Sequence, residues 1–166
     1  MDSERCAVVG AGNLCAQTLA LRGHQVTVFD RNPSRLEYLS DLKISIANDL
    51  TQLHEYDVLV EVTGDPDALD SILHNSPAGA TILLLGLPYA HRQFTFEKIV
   101  AFDKTVVGSV GSSAKDFADA ITLLPQLETT SFFEKSLPLS DFAYAWELAR
   151  SQKYLKVIFD VGGQNS

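Results

Sequence analysis

Short runs of apolar, often β-branched residues alternate with capped amphipathic stretches over residues 1–86. Residues 5–9 predict a short buried strand that ends at Gly10. Residues 13–22 predict a helix closed by Gly23, because glycine accepts the left-handed turn that ends many helices. Residues 25–30 (Q-V-T-V-F-D) predict a second strand. Asn32-Pro33 starts a helix with a capping side chain and a proline at its first position, and Leu36 and Leu39 give it a buried face. Residues 44–47 predict a third strand, 49–56 one or two helical turns, and 57–63 a fourth strand. Asp65-Pro66 repeats the cap-plus-proline signal for a helix to His74, and 80–85 form a fifth, nearly all-apolar strand. Such strands suit a parallel sheet covered on both faces. The alternation predicts an α/β fold with a doubly wound, mostly parallel sheet and helices on both faces.

The pattern then changes. Phe94 to Val100 and residues 105–110 read as two strands with a short turn between them. Residues 113–124 predict a helix with Phe117, Ala120, Ile121 and Leu124 on one face. Residues 132–137 predict a short strand, 140–150 a helix with Phe142, Ala145, Trp146 and Ala149 on one face, and 156–161 a last strand before a polar tail. No repeat or long linker interrupts the chain, so residues 1–166 are expected to form a single domain.

The sharpest chemical signal is Gly10-Ala11-Gly12-Asn13-Leu14-Cys15, which follows a strand and opens a helix. In a dinucleotide fingerprint the first glycine makes the tight turn and the second lets the backbone approach a pyrophosphate. The helix N-terminus then offers N–H donors and positive dipole to the anion. Cys15 stands where a third glycine is usual; it is small, and the motif survives. Asp30 ends the second strand 20 residues after Gly10, the spacing at which an acid accepts the adenosine ribose hydroxyls. Its charge repels a 2′-phosphate, so NAD is expected over NADP, with Arg31 beside the adenine or a phosphate. Together these features make the expected fold Rossmann-type.

Composition narrows the class. Thirteen basic residues against 21 acidic ones give a charge of −8, with no basic block for nucleic acid or an anionic membrane. No apolar run is long enough to span a bilayer, and the N-terminus lacks a signal-peptide layout. Cys6 and Cys15 fit a reduced, cytoplasmic protein, and neither belongs to a Cys-x-x-Cys pair, so no zinc is expected in this chain.

From Asp57 onward the residues resemble a family. The stretches D-V-L-V-E-V-T-G-D-P-D-A-L (57–69), P-A-G-A-T-I-L-L-L-G (77–86), D-K-T-V-V-G-S-V-G-S-S-A-K-D-F (103–117) and P-L-S-D-F-A-Y-A-W (138–146) carry the resemblance. They are similar to the C-terminal cofactor-binding half of zinc-type medium-chain dehydrogenases/reductases, most of all the glucose and polyol dehydrogenase branch. The resemblance implies that Gly10, Gly12, Asn13 and Leu14 meet the pyrophosphate, and that Asp30 and Arg31 meet the adenosine. It implies that Thr63 and Gly64 flank the cofactor, with Gly86, Leu87, Val107, Gly108 and Ser109 near the nicotinamide. In that family a catalytic zinc half precedes the first strand; here only residues 1–4 do. The expectation is therefore a cofactor half without its chemistry half, either a part of a longer enzyme or a stand-alone domain. The reading from another class is a non-catalytic nucleotide-sensing or assembly domain.

Other polar residues read as structural. His24, His54 and His74 sit in turns or at helix ends, and Asp65, Asp67 and Asp70 mark a helix start, not a metal site. His91 and Arg92 lie in a loop expected to open toward the cofactor. Glu61 reads either as an acid near the crevice or as a paired structural carboxylate. Ser109, Ser112 and Ser113 lack a nucleophile motif. A homodimer is expected through an edge strand from Phe94 to Val100, because unpaired backbone groups invite a second chain and the resembled family joins subunits at that edge.

Overall fold

Strand pairing in the computed structural model, which describes residues 3–10, 12–90, 93–94 and 96–162, is parallel throughout. β1 (Arg5–Val9) lies between β2 (Gln25–Phe29) and β4 (Val58–Glu61), in the registers Arg5↔Gln25 and Cys6↔Val58. β3 (Ser45–Ala47) flanks β2, while β5 (Thr81–Leu84) and β6 (Thr105–Gly108) extend the other side. The order β3-β2-β1-β4-β5-β6 is that of a doubly wound Rossmann sheet.

Alternation along the strands divides the core. Ala7, Val9, Phe29, Leu59 and Ile82 point to one face and pack with Leu53, Tyr56, Ile72 and Leu73. Cys6, Val8, Val26, Val28 and Val60 point to the other and pack with Ala16, Leu36 and Leu39. The first face is covered by α3 (Pro66–Asn75), the second by α1 (Asn13–Leu21) and α2 (Pro33–Leu36). The caps are those expected: Asn32 accepts from the Ser34 N–H at 3.1 Å and Asp65 from the Asp67 N–H at 2.9 Å. Burial pushes the Cys6 thiol up to about 11. At the far end of α3, Lys104 Nζ donates to Leu73 O at 2.6 Å, Ser76 O at 2.9 Å and Ser76 Oγ at 2.9 Å. This buried ammonium closes the helix's negative end.

Three expectations are corrected. The strand expected over 94–100 is corrected by the described residues: Glu97–Val100 is one turn of helix, α4, with Val100 N donating to Phe96 O at 3.0 Å. Two strands joined by a short turn would run antiparallel. β5 and β6 run parallel, so the chain between them must cross over a face of the sheet. Phe94 and Ile99 pack there against the α3-side core. The expected dimer edge from Phe94 to Val100 is therefore absent, and β6 is the outer strand. Likewise, Thr130–Phe133 is a 3₁₀ turn, so the strand expected over 132–137 shrinks to β7 (Ser136–Pro138).

The chain divides into two compact units, Met1–Leu124 and Pro125–Ser166, where the sequence reading treats it as one domain. The first holds the sheet and α5 (Ala114–Leu123), whose stripe of Phe117 and Ile121 is exposed rather than buried. The second pairs β7 with β8 (Ile158–Asp160) in parallel beside α6 (Phe142–Arg150), where Phe142 stacks on Phe159 at 6.5 Å. Among the described residues no helix is long and apolar enough to cross a membrane.

Candidate functional site

A parallel sheet that is wound in both directions from its middle opens a crevice beyond the C-terminal ends of its strands. Here the reversal falls between β1 and β4, and the candidate residues gather along that edge.

Gly10 follows β1 with φ +101° and donates to Phe29 O at 2.8 Å, tying β1 to β2 at the crevice. Gly12 caps α1 without any side-chain bond, so the first N–H groups of the helix are not claimed by a capping residue. A Cβ on Gly10 would stand 2.5 Å from Thr63 Cγ2, and one on Gly12 would stand 2.8 Å from Val8 Cγ1. Both glycines thus let the loop seat against β1 and the end of β4. Cys15, at the third position, packs into the α1-side core.

Asn13, the first residue of α1, is buried. Its Oδ1 accepts from Gln17 Nε2 at 2.6 Å, while its buried Nδ2 has no hydrogen-bond partner among the described residues. An orphaned buried amide donor is costly unless a ligand or water meets it. Leu14 is exposed beside it.

Asp30, the residue after β2, lines a cavity of about 190 Å³ with Gly10, Phe29, Arg31, Thr63 and Asp65. One Asp30 oxygen accepts from the Asn32 N–H at 2.8 Å. Arg31 does not turn inward: its exposed guanidinium meets Asp65 at 3.3 Å. Asp65 was legible as a helix cap, but its second role as partner to Arg31 was not, because 34 residues separate the two. Asp67 and Ser71, from the first turns of α3, complete the wall.

Glu61 organises the next loop. It is 3% exposed. Its carboxylate accepts from the Thr63 N–H at 2.6 Å, from the Thr63 hydroxyl, and from the Gly64 N–H at 3.1 Å. The Thr63 hydroxyl in turn accepts from the Asp65 N–H at 2.9 Å. Of the two readings open for Glu61, the structure gives a carboxylate stapled to the loop that borders the crevice. Gly64 has φ +70°, and a Cβ there would lie 2.0 Å from Leu87 O; one on Gly86 would lie 2.1 Å from Gly64 N. The loops after β4 and β5 therefore touch backbone to backbone.

Leu87 is exposed on the loop after β5. Val107 and Gly108 end β6, and Ser109 N donates to Leu84 O at 3.0 Å. All thirteen expected residues lie along one edge of the sheet. Gly10, Asp30, Arg31 and Thr63 share the larger cavity; Gly64 and Gly86 share a smaller one with Glu61. The others flank these two. His91 and Arg92 lie outside the described residues.

Residues 10–126 match the family described as "Zinc-binding dehydrogenase". Among curated proteins, the L-threonine 3-dehydrogenase of Saccharopolyspora erythraea is 26% identical over 175 residues, covering 95% of this chain and 51% of its own. Among solved structures, a thermostable alcohol dehydrogenase from Pyrobaculum aerophilum superposes with a TM-score of 0.79 at 22% identity, covering 95% of this chain and 50% of its own. A glucose dehydrogenase from Haloferax mediterranei, in complex with NADP, Zn and gluconolactone, superposes with a TM-score of 0.69 at 21% identity. It covers 87% of this chain and 47% of its own. The chain spans about half the length of the relatives it matches.

Proposed function

Because the chain belongs to the zinc-binding dehydrogenase family, we propose that it binds a nicotinamide dinucleotide, NAD(H) before NADP(H), as the cofactor half of an alcohol- or sugar-type oxidoreductase. The observation that carries this reading is Asp30, a carboxylate at the end of β2 facing a cavity shared with Gly10 and Thr63.

The residues fit such a group. The N-terminus of α1 and the orphaned Asn13 amide are matched to a pyrophosphate, with Gly10, Gly12 and Leu14 around it. Asp30 has one oxygen engaged with Asn32 and a second to offer the ribose hydroxyls. Asp65 and Asp67 stand in the same cavity wall, and Arg31 is held by Asp65. A 2′-phosphate would meet three carboxylates there and one cation already paired. The glucose dehydrogenase neighbour is described with NADP, so the fold does not by itself exclude a 2′-phosphate, and the preference proposed here rests on these side chains. Thr63 and Gly64, held by Glu61, would border the bound group, with Gly86, Leu87, Val107, Gly108 and Ser109 toward the nicotinamide. When bound, the nicotinamide supplies hydride exchange; the chain's own part is to bind and orient it. The one cluster of three potential metal donors among the described residues lies at the other end of the sheet.

A fluorescence titration tests the reading. NADH should bind more tightly than NADPH, and Asp30→Gly should erase most of the difference, weakening NADH by about 1–3 kcal/mol for a lost charge-assisted hydrogen bond. Equal affinities in the unmodified chain would overturn the preference, and no binding of either would overturn the function. Homodimerisation belongs to the same proposal, now through the outer edge of β6, which pairs with β5 alone among the described strands. Sedimentation at micromolar concentration should show a dimer, and a monomer there would overturn this part of the reading.

A further inference from the structure

Three metal-ligating side chains meet at the end of the sheet away from the crevice. The register Arg5↔Gln25 places Glu4 opposite His24, one step before pairing begins. Residues two apart on a strand share a face, so Glu4 and Cys6 from one strand stand beside His24 and Val26 from the next. Cys6 and Val26 belong to the α1-side core, which fixes that face for all three donors. Their ligand atoms lie within 4.8 Å of one another.

The surroundings hold the group together. Gln25 N donates to Glu4 O at 3.0 Å and Ser3 Oγ to Gly23 O at 2.9 Å, which tie the two segments, while the long bond from Glu4 N to His24 Nδ1, 3.4 Å, is given up when the imidazole offers its lone pair to a cation. Arg5, between Glu4 and Cys6 in sequence, points to the opposite face, where it pairs with Glu55 at 2.5 Å and lies over the Tyr56 ring. Its cation is thereby kept off the three donors. Burial is graded: Cys6 is buried, His24 half-buried and Glu4 exposed. A sulfur, an imidazole nitrogen and a carboxylate oxygen are a donor set for zinc, and the open side leaves room for a water as fourth ligand.

We propose that Glu4, Cys6 and His24 form a binding site for a thiophilic divalent cation, zinc above all, clamping the start of β1 to the turn before β2. Zinc draws its ligands to roughly 3–4 Å from one another, so the donors close by about 1 Å; rotation of Glu4 and His24, both reaching solvent, supplies it. The five residues of β1 separate the site from the crevice by about 15 Å. The cation is thus structural and touches no dinucleotide. This departs from the expectation of no zinc in the chain. That expectation came from sequence spacing: Cys6 and His24 are 18 residues apart and form no contiguous motif.

The test uses the full 166-residue chain, stripped of metal and titrated with zinc and cobalt(II), and is independent of any NADH measurement. One equivalent of zinc should raise the thermal midpoint, and cobalt should give thiolate-to-cobalt charge-transfer absorption. Cys6→Ser should abolish that absorption while Cys15→Ser keeps it. His24→Asn and Glu4→Gln should each weaken zinc at least about tenfold. These two positions reach solvent, so they decide the matter if Cys6→Ser fails to fold. Absence of zinc binding, zinc binding unchanged in His24→Asn and Glu4→Gln, or a cobalt band that follows Cys15, overturns the site.

Discussion

Among the described residues two charged side chains are buried in the sheet unit, and each is matched by donors or acceptors of the opposite kind. Glu61 takes three donors from Thr63 and Gly64; Lys104 gives its ammonium to three oxygens at the end of α3. Burial holds the Lys104 ammonium below the usual lysine range, and the nearby Lys98 adds to this. Removing either partner strands buried polar groups, which costs more than the net value of the bonds themselves. Lys104→Met should therefore destabilise the chain by about 1–3 kcal/mol in urea unfolding, with little effect on NADH affinity. Glu61→Ala should lose a similar amount and also weaken NADH, because the loop it holds borders the crevice; a loss of stability alone would confine Glu61 to folding. Neither role was legible in sequence. Lys104 reaches back 28 and 31 residues to its partners. Glu61 could be placed at a strand end, but which groups its carboxylate met depended on the turn that follows.

The helices α2 and α3, which carry their own chemical punctuation, were read correctly, and α4, which is defined by its partners, was not. Asn32-Pro33 and Asp65-Pro66 carry their caps within a few residues, so α2 and α3 begin where those signals stand. The turn of α4 carries no capping bond, and its form follows from the crossover that β5 and β6 require. The alternating Phe94 and Phe96 mimic a strand because one contacts the core and the other is exposed. At α5 the local signal is complete: the Ser113 hydroxyl accepts from Asp116 N at 3.2 Å, and the Asp116 carboxylate accepts from Ser113 N at 2.8 Å. Backbone and then side-chain bonds from Ser113 hold the Asp116 carboxyl below its ordinary value of 3.8. A depressed carboxyl stabilises the fold above its unfolded-state value and loses that contribution as pH falls through the native one. An NMR titration should show the Ser113 and Asp116 amides shifting together below pH 3.8, with the first turn of α5 fraying there; an ordinary Asp116 titration would remove the capping box.

At the scale of the molecule, the doubly wound parallel sheet followed from the alternation of strands and helices. The division at residue 124 did not, because no glycine- or proline-rich linker marks it. Met1–Leu124 contains both core clusters, whereas Pro125–Ser166 has 42 residues and, among those described, one buried apolar side chain, Ala145. Segments that small seldom bury enough surface to fold unaided. Residues 1–124 produced alone should unfold cooperatively in circular dichroism, and residues 125–166 alone should give no transition; the reverse would place the core elsewhere.

The backbone contact between Gly64 and Gly86 reaches into the chain's descent. A methyl group at either position would stand about 2 Å from the backbone of the opposite loop, and no side-chain rotation relieves an overlap with main chain. Neither loop can drift without the other. Across diverging copies of this gene the two glycines should be kept or lost as a pair, and any lineage that replaces one should also carry a changed length or path in its neighbour.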